Sequence, residues 1–118
     1  GYVVYSNQSK IEDLDVPATV INSHGAVSEE VASLLAQNVA QKAKSDIGIG
    51  ITGIAGPGGG SELKPVGLVY IGISWREHLE VHRYQFHGER KSIKFRTTQE
   101  ALSQLFVLLP KRCSGNEK

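Results

Sequence analysis

Tyr5 and Lys10 stand on either side of the polar turn Ser6-Asn7-Gln8-Ser9. A lysine serves as a general base only where burial or a neighbouring cation brings its pKa toward neutrality. The spacing alone does not impose that, and a lone loop lysine otherwise reads as a solvated charge. The second candidate is Thr52-Gly53-Ile54-Ala55-Gly56-Pro57-Gly58-Gly59-Gly60, a glycine-dense loop that continues to Pro65. Its backbone N–H groups suit a phosphate, a carboxylate or an oxyanion, and a flexible surface loop is the other reading. Gly48-Ile49-Gly50-Ile51-Thr52-Gly53 matches GxGxxG in form. The dinucleotide fingerprint needs those glycines in the turn after a strand, with a helix opening at once. Here two of them fall inside a strand pattern and Pro57 follows, so the match fails on context. No GK[ST] is present, which excludes a Walker A loop.

His24 precedes Gly25 in the turn before a helix, where it either contacts a ligand or hydrogen-bonds the turn. His78, His82 and His87 gather near a hairpin, but no second carboxylate or cysteine cluster gives them metal-ligand spacing. No metal and no cofactor is expected. Arg90, after Gly88-Glu89, reaches an anion near the start of the last helix or is one more surface charge. Lys91, Lys94 and Arg96 read as a solvated helical face. Cys113 lies in a polar tail and is not expected to be catalytic.

The elements that must position these residues follow from pattern. Tyr2 to Tyr5 is a short β-type run, and Lys10 to Leu14 allows a helical turn or two before Pro17. Ser28 is a good N-cap, with Glu29 and Glu30 in the first turn and Lys42 and Lys44 in the last. Val31, Leu34, Leu35 and Val39 make one apolar stripe, so a helix spans about Glu29 to Lys44. Ile47, Ile49 and Ile51 alternate with Gly48 and Gly50, a strand with one bulky face and one bare face for close packing. Val66 to Trp75 suits a strand buried on both faces. Arg76-Glu77-His78 turns into a last strand, about Leu79 to Phe86. Leu102, Leu105, Phe106 and Leu109 mark a final helix from near Glu89, expected to stop at Pro110. Residues 1–110 form the domain and residues 111–118 the polar tail.

Strand, helix, strand favours a parallel pair, and the later hairpin adds an antiparallel one. The expected fold class is therefore α/β, a mixed sheet with helices packed on it in an α/β/α-like arrangement. Ligands in such sheets bind beyond the carboxyl ends of strands, where Tyr5 and Thr52 both sit. The chain has 118 residues, 40% of them hydrophobic and 21% charged, which excludes disordered and fibrous classes. Thirteen basic against 12 acidic residues leave a net charge of +1, with no electrostatic call for nucleic acid or a membrane surface. A single cysteine fits a reducing compartment, and a cytoplasmic location is expected. The chain has no methionine and opens straight into Gly-Tyr-Val-Val-Tyr, so a preceding segment is expected to be missing.

Several segments together resemble the C-terminal domain of CinA, a family that includes nicotinamide mononucleotide deamidases. They are Val3-Val4-Tyr5-Ser6-Asn7 with Lys10, His24-Gly25-Ala26-Val27-Ser28-Glu29-Glu30-Val31, Ile51 to Gly60, and Lys64-Pro65-Val66-Gly67. Phe86-His87-Gly88-Glu89-Arg90 is similar to the family's F-x-G-D-R element, with Glu89 in place of Asp. The resemblance implies hydrolysis of the carboxamide of nicotinamide mononucleotide by a Ser–Lys amidase. It makes Lys10 the general base, with Tyr5 orienting the pair or the nicotinamide. Thr52, Gly53, Ala55 and Gly56 line the substrate cavity, Arg90 meets the phosphate, and His24 is a further substrate contact. The family's nucleophilic serine belongs to an S-C-T-G-G-type segment that these residues do not contain, and neither Ser6 nor Ser9 takes its place. The 118 residues alone are therefore expected to be inactive. Loss of that segment would bare a sheet edge, so a homo-oligomer is expected. The other function class that the resemblance leaves open is a non-catalytic CinA-type domain for nucleotide binding or assembly.

Overall fold

The computed structural model describes residues 6–116. The run Tyr2 to Tyr5, and with it the expected parallel strand pair, lies outside the described residues. Helix α1 covers Asn7–Leu14, capped by the Ser6 side chain, which accepts from Ser9 N at 3.0 Å. Lys10 and Leu14, one helical turn apart, are its two buried positions. Helix α2, Ala18–His24, is an element that the sequence pattern does not mark. Its β-branched Thr19, Val20 and Ile21 disfavour helix locally, and Asn22-Ser23 reads as a turn. Burial of Ile21 with Leu14, Val16, Val31 and Leu35 overrides that preference. Pro17 supplies the entry, and Gly25, with φ +83°, ends the helix.

Helix α3, Glu29–Ala43, follows the expected course, with the Ser28 hydroxyl oxygen accepting from Val31 N at 3.2 Å. Replacing Ser28 with alanine is expected to cost about 1 kcal/mol. Thermal unfolding would register this as a fall in Tm on the order of 4 °C.

Strands β1 (Ile47–Gly53), β2 (Leu68–Trp75) and β3 (His78–Gln85) form a sheet in that order, both neighbouring pairs antiparallel. β2 is central and buried on both faces, as its unbroken apolar run requires. The bare face of β1 is explained by α3. Gly48 and Gly50 of β1 and Gly72 of β2 leave room for the helix backbone at Ala32 and Ala36 to lie directly on the sheet. The bulky face belongs to the opposite layer, where Val69, Ile71, Ile73 and Trp75 bury Ile93, Ala101 and Leu108 of α4. The expected α/β architecture with helices on both faces is therefore present.

Helix α4 runs Arg90–Asn116 and does not stop at Pro110. Proline withholds one N–H from the carbonyl four residues earlier. That carbonyl belongs to Phe106, which is 79% exposed, so water can replace the missing donor. Among the described residues, no helix is long and apolar enough to cross a membrane.

Candidate active-site cleft

A cleft of about 760 Å³ runs along β1 from Ile49 to Gly53, within the range of small-molecule sites. α1 contributes Lys10 and Leu14, α3 contributes Leu35 and Val39, and α4 contributes Arg90, Ile93, Lys94, Thr97 and Thr98. The cleft flanks β1 along its length rather than lying only beyond its carboxyl end.

The polar run Ser6–Ser9, expected as a turn, forms the cap and first turn of α1, and Lys10 on that helix is 7% exposed. It shares the inward face of α1 with Leu14, so packing of that face buries the amine along with the leucine. Desolvation holds its pKa below the ordinary lysine value, because burial penalises the ammonium and not the neutral amine. The bland reading of Lys10 as a solvated loop charge therefore fails.

Thr52 is also buried, and its hydroxyl donates to Ala26 O at 2.7 Å. This bond ties the end of β1 to the turn between α2 and α3. Gly53 and Ala55 line the cleft beside it. Gly56, expected in the lining, is buried outside it, and its carbonyl accepts from Arg90 Nη1 at 3.1 Å. That bond takes one donor of the guanidinium at the first position of α4, and the planar group has others to offer. Arg90 is thus more than a free surface charge.

The remaining candidates lie elsewhere. His24 ends α2, is exposed, and has its Nδ1 3.6 Å from Glu30 Oε1, away from the cleft lining. Its carbonyl instead accepts from Lys64 Nζ at 2.6 Å, which anchors the glycine loop to the α2–α3 turn. Gly58, Gly59 and Gly60 are exposed and are not among the lining residues. Tyr5 lies outside the described residues. Among these no group of three or more His, Cys, Asp or Glu side chains is arranged to hold a metal ion.

The basic run 90–96 is exposed as expected, and one edge of it, Lys94 together with Thr97 and Thr98, also borders the cleft. Their signal is the helical period counted from Arg90, since steps of four and seven or eight residues return to one face. The described lining then carries three cations, Lys10, Arg90 and Lys94, and no carboxylate. Such a cleft selects for anionic ligands.

The comparisons agree with this architecture. The family model described as the CinA C-terminal domain matches residues 1–109. A protein of Moorella thermoacetica named as competence-damage inducible is 54% identical over 96% of this chain. A CinA-like protein of Koribacter versatilis is 50% identical over 89% of it. The chain spans only about a quarter of these relatives, 27% and 25% of their lengths. The crystal structure of the competence/damage inducible protein CihA from Agrobacterium tumefaciens superposes with a TM-score of 0.89 at 34% identity. That match covers 92% of this chain and 67% of the Agrobacterium chain. With the same fold, and with the family model matched over almost the whole chain, this protein belongs to the CinA C-terminal domain family.

Proposed function

We propose that this chain carries the general base and the anion-binding part of a nicotinamide-nucleotide amidase. The reaction is hydrolysis of the carboxamide of nicotinamide mononucleotide to nicotinic acid mononucleotide and ammonia. The observation that carries the reading is Lys10, buried with a depressed pKa in the same cleft as Thr52, Gly53, Ala55 and Arg90. A serine of the parent polypeptide, from the family's upstream segment, attacks the amide carbon. Lys10 takes the serine proton and delivers it to the leaving nitrogen, so that ammonia departs and an acyl-enzyme remains. Water then attacks the ester, giving its proton to the Lys10 amine, and the serine is regenerated with the free acid released. The backbone N–H groups of Gly53 and Ala55 are the proposed donors to the tetrahedral oxyanion, since that of Ile54 is spent on Leu68 O. Arg90 and Lys94 meet the 5′-phosphate.

Ammonia release from nicotinamide mononucleotide tests this, measured on the parent polypeptide and on the 118-residue chain. Activity in the parent and silence in the chain are expected. Release by the chain alone would place the nucleophile within these residues and overturn the Ser–Lys assignment. Binding by the parent without turnover would favour the nucleotide-binding or assembly reading, which the cationic lining also suits.

The phosphate assignment has its own check. Arg90→Ala in the parent is expected to raise KM for the mononucleotide roughly tenfold, about the value of one charge-assisted hydrogen bond. The same change should leave KM for the phosphate-free nicotinamide riboside unaltered.

A further inference from the structure

β3 is an edge strand of the sheet among the described residues, pairing with β2 on one side. The bond from Phe86 N to Gly67 O, 2.9 Å long, extends this ladder by one residue pair. Hydrogen-bonded and non-hydrogen-bonded pairs alternate in an antiparallel ladder. The even-numbered residues of β3 therefore exchange their main-chain bonds with β2. The N–H and C=O of Leu79, Val81 and Arg83 point to the outer edge, and no described residue bonds them. Natural edge strands are commonly blunted by lysine, proline or a bulge. β3 has neither residue, and its register with β2 runs unbroken from His78 to Gln85.

The side chains identify what such an edge accepts. Glu80 and His82 share the face that α4 covers. His82 Nε2 is buried without a hydrogen-bond partner, 3.6 Å from Glu80 Oε2 of its own strand. We propose that β3 pairs antiparallel with β3 of a second copy of this chain, about a two-fold axis at Val81. Glu80 of each copy then stands opposite the partner subunit's His82, and the two sheets join into one.

The register follows from symmetry and charge. A two-fold axis perpendicular to the sheet keeps every side chain on its own face, so only residues of equal parity can meet. Centred on Val81, the outward groups of Leu79 meet those of the partner subunit's Arg83, and Val81 meets the partner's Val81. Each of these pairs exchanges two main-chain hydrogen bonds. Glu80 and the partner's His82 form the non-hydrogen-bonded pair, where side chains stand closest and an imidazole N–H can donate to the carboxylate. Leu79, 36% exposed, is covered by the aliphatic stem of the partner's Arg83. Centring on His82 would set imidazole against imidazole, and centring on Glu80 would set carboxylate against carboxylate. Centring on Leu79 also sets Glu80 against the partner's His78 but overlaps the strand only over residues 78–80, so the Val81 register is the longest complementary one.

Sedimentation equilibrium on the whole 118-residue chain is expected to show a reversible dimer. Val81→Pro removes an outward donor and leaves the β2–β3 ladder intact, so it should give a monomer. His82→Glu sets like charges opposite one another twice per dimer and should raise the dimer Kd at least about tenfold. Glu80→His combined with His82→Glu swaps the pair and should recover the affinity, which a variant acting through misfolding could not do. A monomeric unsubstituted 118-residue chain, a dimer indifferent to Val81→Pro, or a double variant no tighter than His82→Glu alone would each overturn the proposal.

Discussion

Gly50→Ala is expected to destabilise the domain by about 3 kcal/mol or more, at the upper end of overpacking costs. A Cβ at this position would lie 2.5 Å from Ala36 N, 2.6 Å from Ala32 O and 2.7 Å from Leu35 Cβ. Two of those atoms belong to the backbone of α3, so no rotamer change relieves the overlap and the helix must lift off the sheet. Gly50 pairs directly with Gly72, whose own Cβ would meet Ala32 O at 2.6 Å. The two glycines and the two buried alanines thus form one contact in which helix and sheet backbones nearly touch. Urea denaturation should show a large loss of midpoint for Gly50→Ala. Gly58→Ala is the matched control, because nothing lies within 4 Å of its added carbon. Its expected change is within about 0.5 kcal/mol. Equal effects at the two positions would mean that α3 does not rest on the strands in this way.

Lys10→Ala in the parent polypeptide is expected to reduce ammonia release about 10²–10⁴-fold, the usual contribution of a positioned acid–base group. Lys10→Arg should be equally inactive, since a guanidinium keeps its proton and cannot act as base. The wild-type rate should rise with pH through an apparent pKa below the ordinary lysine value of 10.5, because only the neutral amine accepts the serine proton. Stability moves in the same sense. The unfolded lysine holds its proton to a higher pH than the buried one, so between the two pKa values the unfolded state binds more protons. The cost of burying the ammonium is therefore fully present below the folded pKa, and stability rises with pH through that window. Lys10→Met should remove this dependence from the chain's stability, as read by denaturation at several alkaline pH values. A pH profile of activity unchanged by Lys10→Ala would remove the lysine from the mechanism.

Much of the framework is legible from residue pattern. The Ser28 cap, the stripe Val31–Val39, the Ile/Gly alternation of β1 and the apolar run of β2 each report a local rule that tertiary packing then reinforces. Sequence pattern missed α2 because its residues favour extended backbone and turns, and only the burial of Ile21 makes a helix of them. It ended α4 too early because a missing N–H costs little where the affected carbonyl faces water.

The same division holds at the site. Residue types and their order determined the family and supplied Lys10, Thr52 and Arg90 as candidates, because specific blocks of sequence carry them. Tertiary structure decided which candidates meet. It buried Lys10 beside Leu14, drew Lys94 and Thr97 into the cleft, and left His24 and the Gly58–Gly60 triplet outside the lining. Sequence spacing sets which residues share a helix face or a strand face. The environment that shifts a pKa, or gathers three cations without a carboxylate, exists only once elements distant in the chain pack together.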